Sequence, residues 1–226
     1  MSGRVAVVVG AGGELGRATA KALAGAGYTV VGVDRSAEGL KELPDGIRQE
    51  VGDATDPAAA KSLIDKIAAQ DGPPEVLVNT IGMFRLGEAV AATPDDLRVL
   101  MDVNLGAALW LSQAAVPYMR QRGKGSIVHV SARPGTDPTA GLAAYSLSKA
   151  ALSHLVRILD LELRPHGIRV NAVAPQLINT TVNQSLFPAE VLAHAVQPEA
   201  VANVIAFLAG DLAAPVSGAI VPAYGA

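Results

Sequence analysis

Apolar residues along this chain fall into short compact runs separated by longer stretches with helical spacing, and the two kinds alternate from one end to the other. Val5 to Val9 is apolar throughout, with none of the polar alternation of a sheet face open to water, so it predicts a strand covered on both sides. Further strands are predicted at 28–33, 47–51, 75–79, 126–131, 168–173 and 219–222. Helices are predicted between them at 15–24, 36–43, 56–70, 93–122 with a break near Asn104, 142–164 and 198–209. Asp56 and Thr93 each precede a proline, the arrangement of an N-cap followed by N1, while Gly123, Gly125, Pro165 and Gly167 close the helices before them. Residues 176–197 read as a looser segment. Strands alternating with helices predict an α/β fold: a doubly wound parallel sheet of about seven strands, right-handed at each crossover, with helices on both faces. A chain of 226 residues, half of them apolar, is of a size to bury one core, so a single domain over 1–226 is expected.

The first strand runs straight into Gly10-Ala11-Gly12-Gly13-Glu14-Leu15-Gly16 and then into an alanine-rich helix. Without a Cβ, Gly10, Gly13 and Gly16 permit a tight turn, a close backbone approach to a pyrophosphate, and close packing of helix on strand. The helix that begins there aims its free N–H groups and positive dipole end at the same anion. The second strand ends in Asp34, roughly the expected 20 residues on, placed to accept from a ribose 2′-hydroxyl. Strand, glycine turn, helix and acidic residue in that order predict a Rossmann-type dinucleotide site.

Composition acts mainly by exclusion. A net charge of −3 with no basic cluster argues against nucleic acid as a partner and leaves a small molecule. The absence of cysteine removes disulfides and thiolate nucleophiles, and four scattered histidines offer no ligand spacing, so no metal is expected. The first strand begins almost at once and no apolar run is read as long enough for a bilayer, which makes a cytoplasmic protein without a membrane partner the expectation.

In doubly wound sheets the ligand lies outside the carboxyl ends of the strands, so the residues that follow each strand are the ones to read. They are the glycine turn, Asp34 with Arg35, Asp53 with Ala54, Asn79 to Gly82, Ser131 to Arg133, and Pro175 to Thr180. Tyr145 and Lys149 stand four apart near the start of a predicted helix, hence on one face and one turn apart. A carbonyl that accepts hydride needs a proton on its oxygen, and a phenol with an ordinary pKa of about 10 is a poor partner for base chemistry at neutral pH. A neighbouring ammonium favours the phenolate and brings that pKa down.

Tyr-x-x-x-Lys after such a turn, in a chain of this length, resembles the short-chain dehydrogenase/reductase family, and the likeness spans essentially the whole chain. The resemblance implies hydride transfer between a nicotinamide cofactor and a carbonyl or alcohol, with Tyr145 as general acid/base. Lys149 would lower its pKa and grip the nicotinamide ribose, and Asn104 would support a proton relay. Asn79 to Gly82 is similar to the family's Asn-Asn-Ala-Gly motif and Asp53 to its adenine contact, which Ala54 adjoins. Asn171 to Pro175, with Ile178 and Thr180, is similar to the segment that closes over the nicotinamide. A homodimer or homotetramer through helices near 105–122 and 142–164 is implied as well, as is a lid at about 177–197.

The departures are informative. The family's catalytic serine usually lies thirteen residues before the tyrosine, where this chain has Ala132; Ser131 is adjacent but, on a strand, should face the other way. Losing one donor to a developing oxyanion typically costs about 2.7–4 kcal/mol, so Arg133, Gln176 or the substrate would have to compensate. Glu14 stands where commoner members have glycine, adding negative charge beside the expected phosphates. The Gly-x-x-Gly-x-x-Gly spacing, Ala132 and the acidic Asp34 are similar to dihydropteridine reductase, whose quinonoid acceptor spreads its charge and needs less from an oxyanion donor. Two alternatives therefore stand beside the main reading: a quinonoid reductase, and a dinucleotide-binding protein without catalysis. Asp34 favours NAD by repelling a 2′-phosphate, whereas Arg35 and Arg17 leave NADP possible. Met83, Phe84, Leu186 and Phe187 are candidates to line an apolar substrate pocket, while His129 and His154 read as packing or surface residues.

Overall fold

The computed structural model describes residues 3–225. Seven strands, β1 (Val5–Val9), β2 (Thr29–Asp34), β3 (Arg48–Val51), β4 (Pro74–Asn79), β5 (Gly125–Val130), β6 (Ile168–Pro175) and β7 (Ile220–Ala223), make one sheet in the order β3-β2-β1-β4-β5-β6-β7. Every neighbouring pair is parallel. The helices are α1 (Glu14–Gly25), α2 (Ala37–Leu40), α3 (Pro57–Gln70), α4 (Pro94–Met101), α5 (Ala107–Arg122), α6 (Ala143–Leu163), α7 (Thr181–Leu186), α8 (Ala189–Leu192) and α9 (Pro198–Ala209). The α/β reading, the parallel sheet and helices on both faces are as the alternating pattern predicts.

The unbroken apolar character of β1 has a direct cause. Val5, Val7 and Val9 enter a core with α3, α5 and α6, through Ile64, Leu111, Val156 and their neighbours. Ala6 and Val8 enter the opposite core with α1 and α9, through Leu23, Val201 and Ile205. A strand buried on both faces has no position left for a polar residue. Strand order reverses between β1 and β4, and this switch point fixes where a crevice opens at the carboxyl ends of the strands.

Three details differ from expectation. The helix predicted at 36–43 contracts to α2, one turn capped by Ser36, whose Oγ accepts from the Gly39 N–H at 3.2 Å. The break near Asn104 is a π-helical turn, Asp102–Gly106, set between α4 and α5 without interrupting the helix. That makes Pro94–Arg122 a continuous stretch of 29 residues, long and apolar enough by length and composition to cross a bilayer, contrary to the sequence reading. Its apolar residues serve the protein's own core: Leu100, Leu111 and Met119 have no exposed surface.

The loose segment is pinned at its base. The Asn179 N–H donates to the Val196 carbonyl and the Val196 N–H to the Leu177 carbonyl, each at 2.8 Å. The residues between form a flap carrying α7 and α8.

Candidate active site

A cavity of about 940 Å³ lies at the switch point, lined by residues that follow β1, β4, β5 and β6, by α6 and by the flap. Gly10, Gly12, Gly13, Leu15 and Gly16 form one wall of it. Gly10 has φ +87°, and a Cβ there would strike Thr80 Oγ1; a Cβ on Gly16 would overlap the Gly10 carbonyl. At Gly10 and Gly16, therefore, only a residue without a Cβ fits. The N-cap of α1, Gly13, contributes no side chain, so no side-chain cap competes for the first N–H groups of the helix. Asp34 packs on the turn: its Oδ2 accepts from the Gly12 N–H at 3.0 Å and its Oδ1 from the Ser36 N–H at 2.9 Å. Each oxygen keeps a lone pair for a hydroxyl donor. These features fit a dinucleotide's pyrophosphate and ribose.

Several predicted cofactor contacts lie beside the cavity. Arg35 is exposed. Asp53 Oδ1 accepts from both the N–H and the Oγ1 of Thr55, and these bonds hold its carboxyl below the usual range. Ala54 is buried. Asn79 is buried too, its Oδ1 accepting from the Ile81 N–H at 3.0 Å, so it shapes the turn after β4. Gly82, Pro175, Ile178 and Thr180 line the cavity directly, and Thr180 also caps α7 through the Asn183 N–H. A Cβ on Gly82 would lie 3.3 Å from Lys149 Nζ, so this glycine lets the loop sit close over the lysine.

On the reacting side, α6 presents Tyr145 and Lys149 to the cavity. Lys149 is buried and donates from Nζ to the Val130 carbonyl at 2.8 Å. Burial pulls its pKa down to about 8. Burial also pushes the Tyr145 phenol up to about 12, opposite to the direction expected from a lysine one turn away. The reason is that loss of hydration dominates here and the ammonium is engaged with a backbone carbonyl. Phe84 meets the Tyr145 ring edge-on, with centroids 5.1 Å apart, and Phe187 at 6.0 Å, giving a continuous aromatic wall from the β4 loop to the flap.

Asn104, in the π-turn, lies behind this wall. Its Oδ1 accepts from the Met83 N–H at 2.8 Å, and its Nδ2 donates to the Met83 carbonyl and to Ser148 Oγ, each at 2.9 Å. Both amide hydrogens are committed, so the side chain ties the Met83 loop to α6. Met83, Phe84 and Phe187 line the cavity as expected. Leu186 does not: it is 56% exposed and lies outside the lining. Helix α7 ends at this residue, and the extended backbone of Phe187 (φ −122°, ψ 145°) turns the next ring inward instead. Val182, Asn183 and Val191 supply the flap's lining. These were hidden because a six-residue helix gives too short a pattern to phase.

Ala132 lines the cavity in the serine's place. Ser131 also lines the cavity, but its hydroxyl is engaged with Ser153 Oγ at 2.7 Å and the Lys149 carbonyl at 3.3 Å. Arg133, a cavity residue, donates from Nη1 to Gln176 Oε1 at 2.8 Å and stacks over the Tyr224 ring at 5.0 Å. Glu14 turns from the glycine cradle toward the flap, where its Oε1 accepts from the Thr181 N–H at 2.8 Å. His129 is buried, with Nε2 3.1 Å from Ser112 Oγ, and its pKa is driven down to about 3 by burial; His154 is exposed.

Comparison with known proteins agrees with this geometry. Residues 4–191 match the family described as short chain dehydrogenase. Galactitol 2-dehydrogenase of Rhizobium johnstonii is 36% identical, with 98% of this chain and 93% of that protein covered. The 3-oxoacyl-[acyl-carrier-protein] reductase FabG of Thermotoga maritima is 33% identical, over 98% of this chain and 96% of the relative. The crystal structure of gox2181 superposes with a TM-score of 0.92 at 29% identity, covering 98% of this chain and 94% of the other. Relatives of this kind are dehydrogenases and reductases of alcohol and carbonyl groups that use NAD(H) or NADP(H). The chain belongs to the short-chain dehydrogenase/reductase family, and it is an oxidoreductase.

Proposed function

We propose that this oxidoreductase prefers NAD and reduces a carbonyl, or oxidises the corresponding alcohol, with Tyr145 as the proton donor or acceptor. The observation that carries this reading is that Tyr145 and Lys149 share one cavity with the glycine turn. A bound nicotinamide supplies or takes up the hydride. Gly10, Gly12, Gly13, Leu15 and Gly16 hold its pyrophosphate, Asp34 its adenosine ribose, Asp53 and Ala54 border the adenine, and Lys149 with Pro175, Ile178 and Thr180 serves the nicotinamide end. The phenol, protonated at neutral pH, gives its proton to the substrate oxygen in the reducing direction and receives it in the oxidising one. Asn104 acts as a positioning residue by fixing the Met83 loop against α6.

Asp34 argues for NAD because a carboxylate beside the Gly12 N–H repels a 2′-phosphate; Arg17 and Arg35 are the groups that would soften that preference. Residues 177–197 act as the substrate lid of a single domain. The exposed Leu147, Ile158 and Leu161, on one face of α6, support a homodimer or homotetramer. We assign the protein to the cytoplasm. Ala132 supports a second reading, reduction of a quinonoid ring, since such an acceptor delocalises the charge a serine would otherwise meet.

The test is Tyr145→Phe, assayed with NADH against ketones, quinones and quinonoid pterins. Turnover is expected to drop about 10²–10⁴-fold while NADH affinity stays within about twofold. Unchanged turnover would remove Tyr145 from the reaction.

A further inference from the structure

The substrate end of the cavity holds one cation whose place in the reaction is unassigned. Arg133 opens the short 3₁₀ turn Arg133–Gly135 just past β5, beside Ala132. Three contacts fix its guanidinium. Nη1 reaches across the crevice to Gln176 Oε1 at 2.8 Å, Nε faces Asp137 Oδ2 at 3.4 Å, and one face lies over the Tyr224 ring at 5.0 Å. A guanidinium donates only in its own plane. With one face stacked and Nε and part of Nη1 engaged, the remaining fork of Nη1 and Nη2 hydrogens is the edge that matches a carboxylate in two parallel bonds. Asp137 is the acidic group facing it. That contact is long, with side chains 43% and 58% exposed, so it neutralises little of the charge.

We infer that Arg133, held by Gln176 and Tyr224, recognises a carboxylate on the substrate, which makes an oxo acid the preferred acceptor. This inference rests on the oxidoreductase reading of the same site. The remaining walls define the rest of the molecule: Phe84 against Tyr145, Phe187 against Phe84, and Leu142 and Val182 also lining, suit an apolar chain borne on the carbonyl carbon away from the carboxylate. Burying an apolar chain while pairing its charged end uses both halves of this surface. It also gives the site a means of orienting a carbonyl without the serine hydroxyl, because two fixed points, the carboxylate at Arg133 and the oxygen at Tyr145, set the reacting atom's place.

The test compares 3-oxobutanoate and longer 3- and 4-oxo acids with their methyl esters, in the wild type and in Arg133→Met, by NADH oxidation and by thermal shift of the NADH complex. In the wild type each acid is expected to have a KM about ten- to hundredfold below its ester, rising with ionic strength while the ester's does not. Arg133→Met should erase that difference, bringing the acid's KM to that of its ester in the same variant. Tyr224→Leu, which keeps the charge and removes the stack, should raise the acid's KM only a few-fold. Esters used as well as acids by the wild type, or an acid preference that survives Arg133→Met, would overturn the inference while leaving the oxidoreductase reading in place. Thermal shift reads acid binding in Tyr145→Phe as well, so carboxylate recognition is judged even where turnover is lost.

Discussion

The two halves of the crevice are built from different materials. At the proposed nucleotide end the chain offers mainly backbone: a glycine turn with no room for a Cβ at Gly10 or Gly16, the start of α1, and one carboxylate bonded to the Gly12 N–H. At the reacting end it offers side chains from five separate places along the chain, Phe84, Arg133, Tyr145, Gln176 and Phe187. A backbone site tolerates little change because every residue is defined by what it lacks. A side-chain site can be rebuilt one residue at a time, and the departure at Ala132 falls there, whereas the one in the glycine turn, Glu14, sends its side chain to the Thr181 N–H.

The sharpest probe of this contrast is Ala132→Ser. It restores a hydroxyl donor at the reacting end, and turnover of simple neutral ketones is expected to rise by up to about 10²–10³-fold, with NADH affinity unchanged. A gain near unity would mean that the cavity already supplies that donor. The pH profile comes next. Lys149 is depressed to about 8, so its ammonium is present below that pH and lost above it. Carbonyl reduction should therefore hold level near pH 7 and fall about tenfold per unit once well above pH 8. A profile flat up to about pH 10 would show that the charge on Lys149 is not required.

Two smaller effects address the nucleotide end. Asp34→Ser removes the repulsion toward a 2′-phosphate, and NADH should weaken about tenfold while NADPH improves, read as the ratio of their dissociation constants. Glu14→Gly gives up the exposed bond to the Thr181 N–H, worth about 1 kcal/mol, and should speed NADH release a few-fold in stopped-flow traces. An unchanged release rate would mean the flap moves independently of the glycine turn.

The same contrast explains what the sequence discloses. Gly10, Gly13, Gly16 and Asp34 report a local backbone geometry, and that geometry is written in consecutive residues, so the dinucleotide half and the sheet are legible without coordinates. The reacting half depends on distant partners. Nothing near Arg133 points to Tyr224, 91 positions away, or to the stack between them. Leu186 and Phe187 are adjacent and both apolar, and only the backbone turn at the end of α7 decides which enters the cavity. Spacing places Lys149 beside Tyr145 but says nothing of how much water either retains, and burial reverses the direction of the phenol's pKa.

The π-turn at Asp102–Gly106 carries a design constraint. One surplus residue inside a continuous helix advances everything after it by roughly 100° of rotation, since an α-helix has 3.6 residues per turn. Trimming any single position from that bulge would straighten the rod yet swing the faces of its second half away from the sheet. A chimera that borrows this rod from a relative must therefore take the bulge whole, or its two ends will be out of phase.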